Sequence, residues 1–537
     1  MSFLRPYTMD WGNEESDSLH LEYSYNREHW YKLNGGHGVL FADHGHGRMA
    51  DPFFVKGEDG SFTLYAADAV DAAFVYTATT ADFISYSEVN RVAASEVKVS
   101  LPDDVVVQIS DAQLTALQAV FGKPEPVVVK SVEQPAVTVS AGDEVSLPER
   151  VDVLWSNGST ESLPVTWENV DAVPKTAGSY EVNGYVSEHL YQTPLIYHRA
   201  DPFIYRHTDG YYYFTGSHTD DEHNLDGEYQ YRYIIIRRAK TLDDLADEGG
   251  DYIERTVYTR APLPGGESPH IWAPEIHYID GKFYIYFTTV INENDLWSIR
   301  PHCLMCEGDP MTDEWVNKGP IAKTTQDNIA FTDFSLDHTV LQHNGELYLF
   351  WAEKHPVISD IYAAKMVNPW TIDSSRIAKI VSPDYNWEQH GFQVCEGPGF
   401  LHRNGRLFMT YSASGTDAFY CLGLLTIDEN ADLLEPSNWK KSPYPVFISC
   451  PENGQFGPGH NSFTTDEEGH DIFVFHSRQE ERYLIDESYQ PLYDAGRNAC
   501  LTRLHWNPDG TPNFSVPAPV GPKQDVKIPV KAVVTVK

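Results

Sequence analysis

The chain has 537 residues, a formal net charge of −39 at pH 7 and an aromatic content of 13%. This length allows several domains and a large core, whereas the negative charge argues against nucleic acid and anionic membranes as partners, because both would repel such a surface. A neutral glycan is compatible with the charge, and the lack of long apolar runs argues against a transmembrane helix.

The first residues, Met1 to Tyr7, lack the charged and then apolar regions of a signal peptide. We therefore predict a cytoplasmic protein. Of the six cysteines, only Cys303 and Cys306 form a C-x-x-C pair. A zinc or redox site needs more than one such pair, so we expect reduced thiols.

Residues 1–125 are predicted to form an N-terminal β module. Strand patterns between residues 19 and 41 are followed by the motif Met49-Ala50-Asp51-Pro52-Phe53-Phe54 and an Asp-Gly turn, with Asp51 nine residues before Gly60. This motif is a partial copy of one that returns later in the chain. Because no partner carboxylates accompany it, we do not expect Asp51 to be catalytic.

A short helix over residues 110–122 is predicted near the end of this module. Ser110 can cap it and Gly122 can end it. The apolar residues at helical spacing are Leu114, Leu117 and Phe121.

Residues 126–192 change to short alternating strands separated by glycine turns, which predicts a small β-sandwich. Segments such as Val151-Asp152-Val153 and Thr176-Ala177-Gly178-Ser179-Tyr180 resemble bacterial immunoglobulin-like modules. A spacer role is favoured over a glycan-contact role, because no catalytic set of residues lies in this stretch.

Residues 193–520 repeat one plan, an aromatic strand, a turn with glycine, and a second aromatic strand. The turn glycines are 60 to 71 residues apart, at positions 210, 281, 345, 405 and 469. A long repeat built on strands predicts a β-propeller, here with five blades. Residues 521–537 are then expected to be a C-terminal tail.

Polar residues stand at nearly constant distance before these glycines. They are Asp201, Trp272 with Glu275, Asp337, Glu396 and His460. Equivalent positions in a propeller face the same axis, so these side chains should converge at one end of the central channel. Acidic groups brought together repel one another, which indicates a site that uses them.

Several motifs in this region resemble glycoside hydrolase family 43, the five-bladed propeller enzymes that release arabinose and xylose from plant polysaccharides. They are Ala200-Asp201-Pro202, His270-Ile271-Trp272-Ala273-Pro274-Glu275, Ser335-Leu336-Asp337, Cys395-Glu396-Gly397-Pro398 and Gly457-Pro458-Gly459-His460. The text between them is most similar to the exo-acting α-L-arabinofuranosidases of that family.

The resemblance implies that Asp201 is the general base, Glu396 the general acid, and Asp337 the group that orients the acid and raises its pKa. It also implies that Trp272, Glu275, His460 and Arg497 bind substrate. The segment around Arg497 departs from the Asp-Pro-x-Arg-His pattern of relatives, which weakens its assignment.

No cofactor is required by this chemistry. In some relatives the histidine helps to hold a central ion or water, so a structural calcium ion in the channel, with His460 as a ligand, is an expectation beside that of a simple channel histidine. Trp272 could pack the wall or stack on sugar, and its place in the repeat slightly favours stacking.

The chemistry expected is hydrolysis with inversion, in which two carboxyl groups about 6.5–9.5 Å apart leave room for water. A nearby negative charge from Asp337 would keep Glu396 protonated. The expected substrates are arabinan, arabinoxylan or their oligosaccharides. A β-xylosidase and a non-catalytic glycan-binding propeller remain alternatives, and exo and endo action are not distinguished.

Overall fold

A computed structural model describes residues 2–9, 18–36, 38–42, 44–102, 104–121, 125–219, 231–442, 444–485 and 490–537. Strands dominate throughout, as the aromatic and β-branched alternation predicts. In these ranges no helix is both long and apolar enough to cross a membrane. All six cysteines are buried, and within the described part of the chain none of them forms a disulfide.

The N-terminal module consists of two four-stranded antiparallel sheets and one helix within the described residues. In spatial order the first sheet contains Tyr31–Lys32, His20–Ser24, Ser2–Tyr7 and Val107–Ile109, and the second contains Met49–Lys56, Phe62–Asp68, Phe74–Thr80 and Asn90–Ala93. The second sheet has the up-and-down order of a propeller blade.

The predicted helix is confirmed and spans Asp111–Phe121. The N–H of Gln113 donates to Ser110 Oγ (3.2 Å), and the N–H of Ser110 donates to Gln113 Oε1 (3.0 Å), so the two residues form a capping box. Leu114, Leu117 and Phe121 are buried together. The predicted end at Gly122 lies outside the described residues.

The immunoglobulin-like module packs a three-stranded sheet against a four-stranded one. The first contains Thr160–Pro164, Arg150–Trp155 and Val129–Val132, and the second contains Ala136–Val139, Gln524–Val536, Gly178–Leu190 and Thr166–Trp167. The predicted β-sandwich is confirmed.

The prediction of a C-terminal tail was wrong. Residues Gln524–Val536 form a central strand of this module, antiparallel to Gly178–Leu190 along its whole length. Ala532 and Val534 of this strand are fully buried. The alternation of apolar residues was visible in the sequence, but its partner lies more than 300 residues earlier, so the pairing was not.

Five sheets follow one another between residues 199 and 503 in the described part of the chain. Blade 1 contains Arg199–Arg206, Tyr212–His218, Tyr233–Ala239 and Tyr252–Thr259; blade 2 contains Trp272–Ile279, Lys282–Asn292, Asp295–Cys306 and Val316–Pro320; blade 3 contains Ser335–His343, Glu346–His355, Ile358–Asn368 and Thr371–Val381, with Ala322–Lys323 beside it. Blade 4 contains Cys395–Arg403, Arg406–Ala413, Cys421–Asp428 and Lys440–Lys441; blade 5 contains Phe456–Thr465, Asp471–Arg478 and Arg497–Arg503. A short helix, Arg482–Ile485, and the strand pair His505–Trp506 and Pro512–Asn513 complete the described regular structure.

The first strand of each blade lies innermost and contacts the first strand of the next blade, and blade 5 contacts blade 1. The ring is also closed by the chain entering it, since Ile196 pairs with Ala499 of blade 5. The five turn glycines all have left-handed φ angles, between 73° and 91°, as tight hairpin turns require.

Candidate active site

Each inner strand carries a β-bulge at the same depth in the channel. The residue at the bulge has a left-handed φ in every blade. These residues are Asp201 (52°), Ala273 (47°), Asp337 (50°), Gly397 (55°) and His460 (40°). A bulge turns a side chain away from its regular strand direction, and here it directs Asp201, Asp337 and His460 toward one another.

Asp201 and Glu396 each lie nine residues before their turn glycine, which predicted that they occupy equivalent positions. This prediction was wrong by one residue. Gly397 occupies the bulge, and Glu396 precedes it. Trp272 likewise precedes its bulge. The turns explain the shift, because the hairpins of blades 1 and 5 have longer turns than those of blades 2 to 4.

Asp51 occupies the same kind of bulge in the N-terminal module, with a φ of 48°. Its side chain is exposed, and it lies apart from the channel residues. This agrees with the expectation that the isolated motif is not catalytic.

A cavity of about 680 Å³ opens over the bulges. The residues Asp201, Asp337, Glu396 and His460 all line it. Its aromatic lining is Trp272, Trp297, Phe334, Phe392, Tyr420 and Tyr493. The structure therefore brings the three predicted carboxyl groups and the predicted histidine to one place.

His460 lies between two of the carboxylates. Its Nδ1 is 3.3 Å from Asp201 Oδ1 and 3.5 Å from Asp337 Oδ2. Burial alone would lower the pKa of His460, but the charges of these carboxylates and of Glu396 outweigh it and raise that pKa. A Cβ on Gly397 would lie 3.2 Å from the His460 ring, so glycine leaves room for this imidazole.

Asp201 is held in the ionised form. Burial opposes ionisation, but the charges of His460 and Arg497 hold the pKa of Asp201 well below its usual range. Ser217 Oγ donates to Asp201 Oδ2, and the N–H of Asp201 donates to His476 Nδ1 (3.0 Å). Burial lowers the pKa of His476 to about 3, which leaves its nitrogen free to accept.

Glu396 and Asp337 have the opposite tendency. Burial raises the pKa of Glu396, against the Tyr420 hydroxyl that donates to its Oε1 at 2.7 Å. Burial also raises the pKa of Asp337 well above its usual range; His460 opposes this shift, and the charges of Glu396 and Asp201 add to it. Both carboxyl groups therefore have raised pKa values, in contrast to Asp201.

The remaining predicted residues divide between the cavity and its surroundings. Trp272 is 7% exposed and packs against His270 and Tyr231, at ring distances of 4.4 and 5.8 Å. Arg497 lines the cavity and donates to the Tyr231 hydroxyl (3.0 Å). Glu275 is buried and bonded to His277 Nε2 (2.8 Å) instead of lining the cavity.

A calcium ion remains a prediction. Calcium takes six to eight oxygen ligands, yet the described residues contain no group of three or more His, Cys, Asp or Glu side chains arranged to hold a metal. The residues around His460 therefore do not fit a calcium ion ligated mainly by protein, and no step of the chemistry below involves one.

Sequence reasoning missed Ser217, His476 and Tyr420. Ser217 and His476 lie on the second strand of their blades, across from the residues before each bulge. The signal was present in principle, because a small polar residue or histidine follows an aromatic strand at both positions, but finding it required the register between strands.

Comparisons with known proteins were made for the whole chain. The family model described as Glycosyl hydrolases family 43 matches residues 191–512, and that described as Bacterial Ig-like domain (group 4) matches residues 132–189. The chain is similar to the extracellular exo-alpha-(1->5)-L-arabinofuranosidases of Streptomyces avermitilis and Streptomyces chartreusis. The former is 43% identical over 62% of this chain and 64% of its own length, and the latter 41% identical over 55% and 85%.

Among solved structures, an alpha-L-arabinofuranosidase from Lactobacillus brevis matches with 44% identity and a TM-score of 0.54. The match covers 62% of this chain and 98% of that protein. The similarity of all three proteins thus lies mainly in one part of this chain, and it leaves more than a third of the Streptomyces avermitilis protein unmatched.

The predicted cytoplasmic location is contradicted by these findings, since two of the similar proteins are described as extracellular. The first residues of a sequence do not by themselves decide the location of a protein, since a signal peptide is removed on export. Its absence from a sequence therefore does not indicate the cytosol.

We predict that Ser217→Ala lowers kcat for glycoside hydrolysis about 10- to 100-fold, because a hydrogen bond to a charged group is worth about 1.5–3 kcal/mol. The matched control is Thr215→Val on the same strand, since Thr215 is buried and its hydroxyl has no hydrogen-bond partner among the described residues. Kinetics of both folded variants check this. Equal activity in the two would contradict the importance of the Ser217 contact.

Proposed function

The chain belongs to glycoside hydrolase family 43, and on this premise we propose that it is an exo-acting α-L-arabinofuranosidase. Its substrates would be arabinan, arabinoxylan or oligosaccharides derived from them. The observation that carries the proposal is the meeting of Asp201, Glu396 and Asp337 in one cavity with oppositely shifted pKa values. The choice of sugar is supported by the names of the similar arabinofuranosidases.

In the proposed mechanism Asp201 is the general base. It is the carboxyl group that remains ionised, because His460 and Arg497 lie beside it. An ionised carboxylate can take a proton from water as that water attacks the anomeric carbon. Ser217 donates to one carboxylate oxygen of Asp201, and His476 accepts from the backbone N–H of Asp201, so the two residues hold the base in place.

Glu396 is the proposed general acid. Burial raises its pKa and so favours the protonated form, which can protonate the oxygen of the leaving group as the glycosidic bond breaks. Tyr420 holds one of its oxygens at 2.7 Å and so leaves the other for the substrate. The charge of Glu396 adds to the raised pKa of Asp337, and His460 balances part of the negative charge.

The walls are proposed to hold the sugar. Trp272 offers an apolar surface beside Asp201, and Arg497 offers a cation whose position Tyr231 fixes. A direct test of the sugar is the release of 4-nitrophenol from the α-L-arabinofuranoside and from the β-D-xyloside. We expect the arabinofuranoside to react faster, and a preference for the xyloside would favour a β-xylosidase.

Replacing the acid or the base should abolish most of the activity. We predict that Asp201→Asn and Glu396→Gln each lower kcat/KM by about 10²–10⁴-fold, the usual value of general acid or base catalysis. The matched control is Asp51→Asn, which changes the same motif at an equivalent bulge outside the cavity. Near wild-type rates in a folded Asp201 or Glu396 variant would refute the assignment.

The stereochemistry should be inversion, because Asp201 would activate water rather than attack the sugar itself. Proton NMR of the sugar released first, before mutarotation, measures this. A retained anomeric configuration would indicate a nucleophilic carboxylate and contradict the mechanism.

The pH dependence tests Asp337. The alkaline limb of kcat/KM reports loss of the last proton from the Asp337–Glu396 pair. A neighbouring carboxylate raises the pKa for that loss, so Asp337→Asn should let Glu396 ionise at lower pH and move the alkaline limb to lower pH. Substrates with good leaving groups should lose less activity. An unmoved limb with equal losses on aryl and oligosaccharide substrates would mean that Asp337 only positions the sugar.

A further inference from the structure

The segment between blades 3 and 4, residues 382–394, forms one wall of the cavity through Gly391, Phe392 and Val394. Phe392 of this wall lines the cavity and is still 60% exposed. The wall leads directly into the strand Cys395–Arg403, which carries Glu396. Because the acid must reach the oxygen of the leaving group, the wall beside it faces the leaving group rather than the sugar that is released.

The backbone of this wall is fixed where it enters the cavity. The N–H of Ser359 donates to the carbonyl of Gln393 (3.0 Å), and the N–H of Val394 donates to the carbonyl of Glu388 (3.2 Å). The N–H of His390 donates to Ser414 Oγ (3.0 Å). Phe392 is therefore presented on a defined backbone, with its ring open to the cavity.

A buried ion pair lies behind the wall. Glu388 is fully buried and accepts from the Tyr411 hydroxyl (2.7 Å) and from Lys441 Nζ (2.8 Å). Lys441 also donates to the carbonyl of Ser382 (2.6 Å). Since Cys395 Sγ lies 3.7 Å from Glu388 Oε1, the same carboxylate contacts both the wall and the residue before Glu396.

The N-terminal module covers this ion pair from outside. The ring of Tyr385 contacts both sides. It lies 5.2 Å from the ring of Phe41 in the N-terminal module and 4.8 Å from Lys441 Nζ of the ion pair. Phe121 contacts Tyr444 at a ring distance of 5.0 Å. The module thus contacts the wall directly, on the side opposite the cavity.

We propose that Phe392 is the specificity-determining residue for the leaving-group sugar, and that the N-terminal module positions it through the contact of Phe41 with Tyr385. The proposal rests on the proposed function. A sugar ring presents an apolar C–H face that packs on an aromatic ring, whereas a small alcohol does not reach the wall. Trp297, 46% exposed at the mouth, supplies a second ring.

The cavity volume agrees with this assignment. A space of about 680 Å³ has room for more than one pentose ring, in the range of pockets that enclose ligands larger than a monosaccharide. The leaving group would therefore be a sugar unit of an oligosaccharide, not a small aglycone.

The test compares two substrates, an arabino-oligosaccharide and methyl α-L-arabinofuranoside. Phe392→Ala should lower kcat/KM about tenfold on the oligosaccharide, as loss of a stacking contact predicts, and leave the methyl glycoside and inhibition by free L-arabinose unchanged. Equal losses on both substrates, or no loss on either, would overturn the proposal. If wild type released no arabinose from any substrate, the proposed function itself would fail.

The positioning role is tested with Phe41→Ala. It should give the same selective loss on the oligosaccharide, to a smaller extent. The matched control is Phe53→Ala, which removes a buried ring that stacks on Tyr65 within the module (5.5 Å); it should leave both substrates unchanged. If Phe41→Ala behaves like this control while remaining folded, the module does not position the wall.

Discussion

The left-handed bulge in each inner strand is the constraint on which the site depends. A regular strand would send alternate side chains into the sheets on either side. By adopting a φ near 50° at Asp201, Asp337 and His460, the chain directs these groups along the channel instead. Such a conformation is costly for residues other than glycine, and three-dimensional packing must maintain it. The hydrogen bonds from the bulge N–H groups to His476 and Ser412 are part of that packing.

These bonds also connect the blades. Ser217 of blade 1 accepts from the N–H of Ala273 in blade 2 (2.7 Å) while it donates to Asp201 of its own blade. Ser412 of blade 4 accepts from His460 in blade 5 (2.7 Å). The positions of Asp201 and His460 therefore depend on contacts with neighbouring blades, so this part of the site requires adjacent blades to be in place.

Much of this could be predicted from the sequence. The turn glycines predicted the hairpins, and the constant spacing before them identified Asp201, Asp337 and His460 as candidate site residues. The sequence also identified Glu396, but placed it one residue away from its true position relative to the bulge. The hairpin turns differ in length between blades, and this changes the distance between the bulge and the turn glycine. The roles of Ser217 and Tyr420 depend on which strands pair, and the strand Gln524–Val536 joins a module encoded before the propeller. Long-range pairing of this kind leaves no local signal.

The difference between the two proposed catalytic carboxyl groups arises from their neighbours, not from their own chemistry. All three carboxyl groups line the cavity, and burial alone would raise the pKa of each of them. Asp201 escapes this because His460, Arg497 and the hydroxyl of Ser217 all stabilise its anion. Tyr420, His460 and Arg497 also stabilise the anion of Glu396, but burial outweighs them, and the charge of Asp201 adds to the rise in its pKa. The imidazole of His460 therefore stabilises the anion of Asp201 more than that of Glu396. The difference between the pKa values of the base and the acid, which the reaction needs, follows from this position.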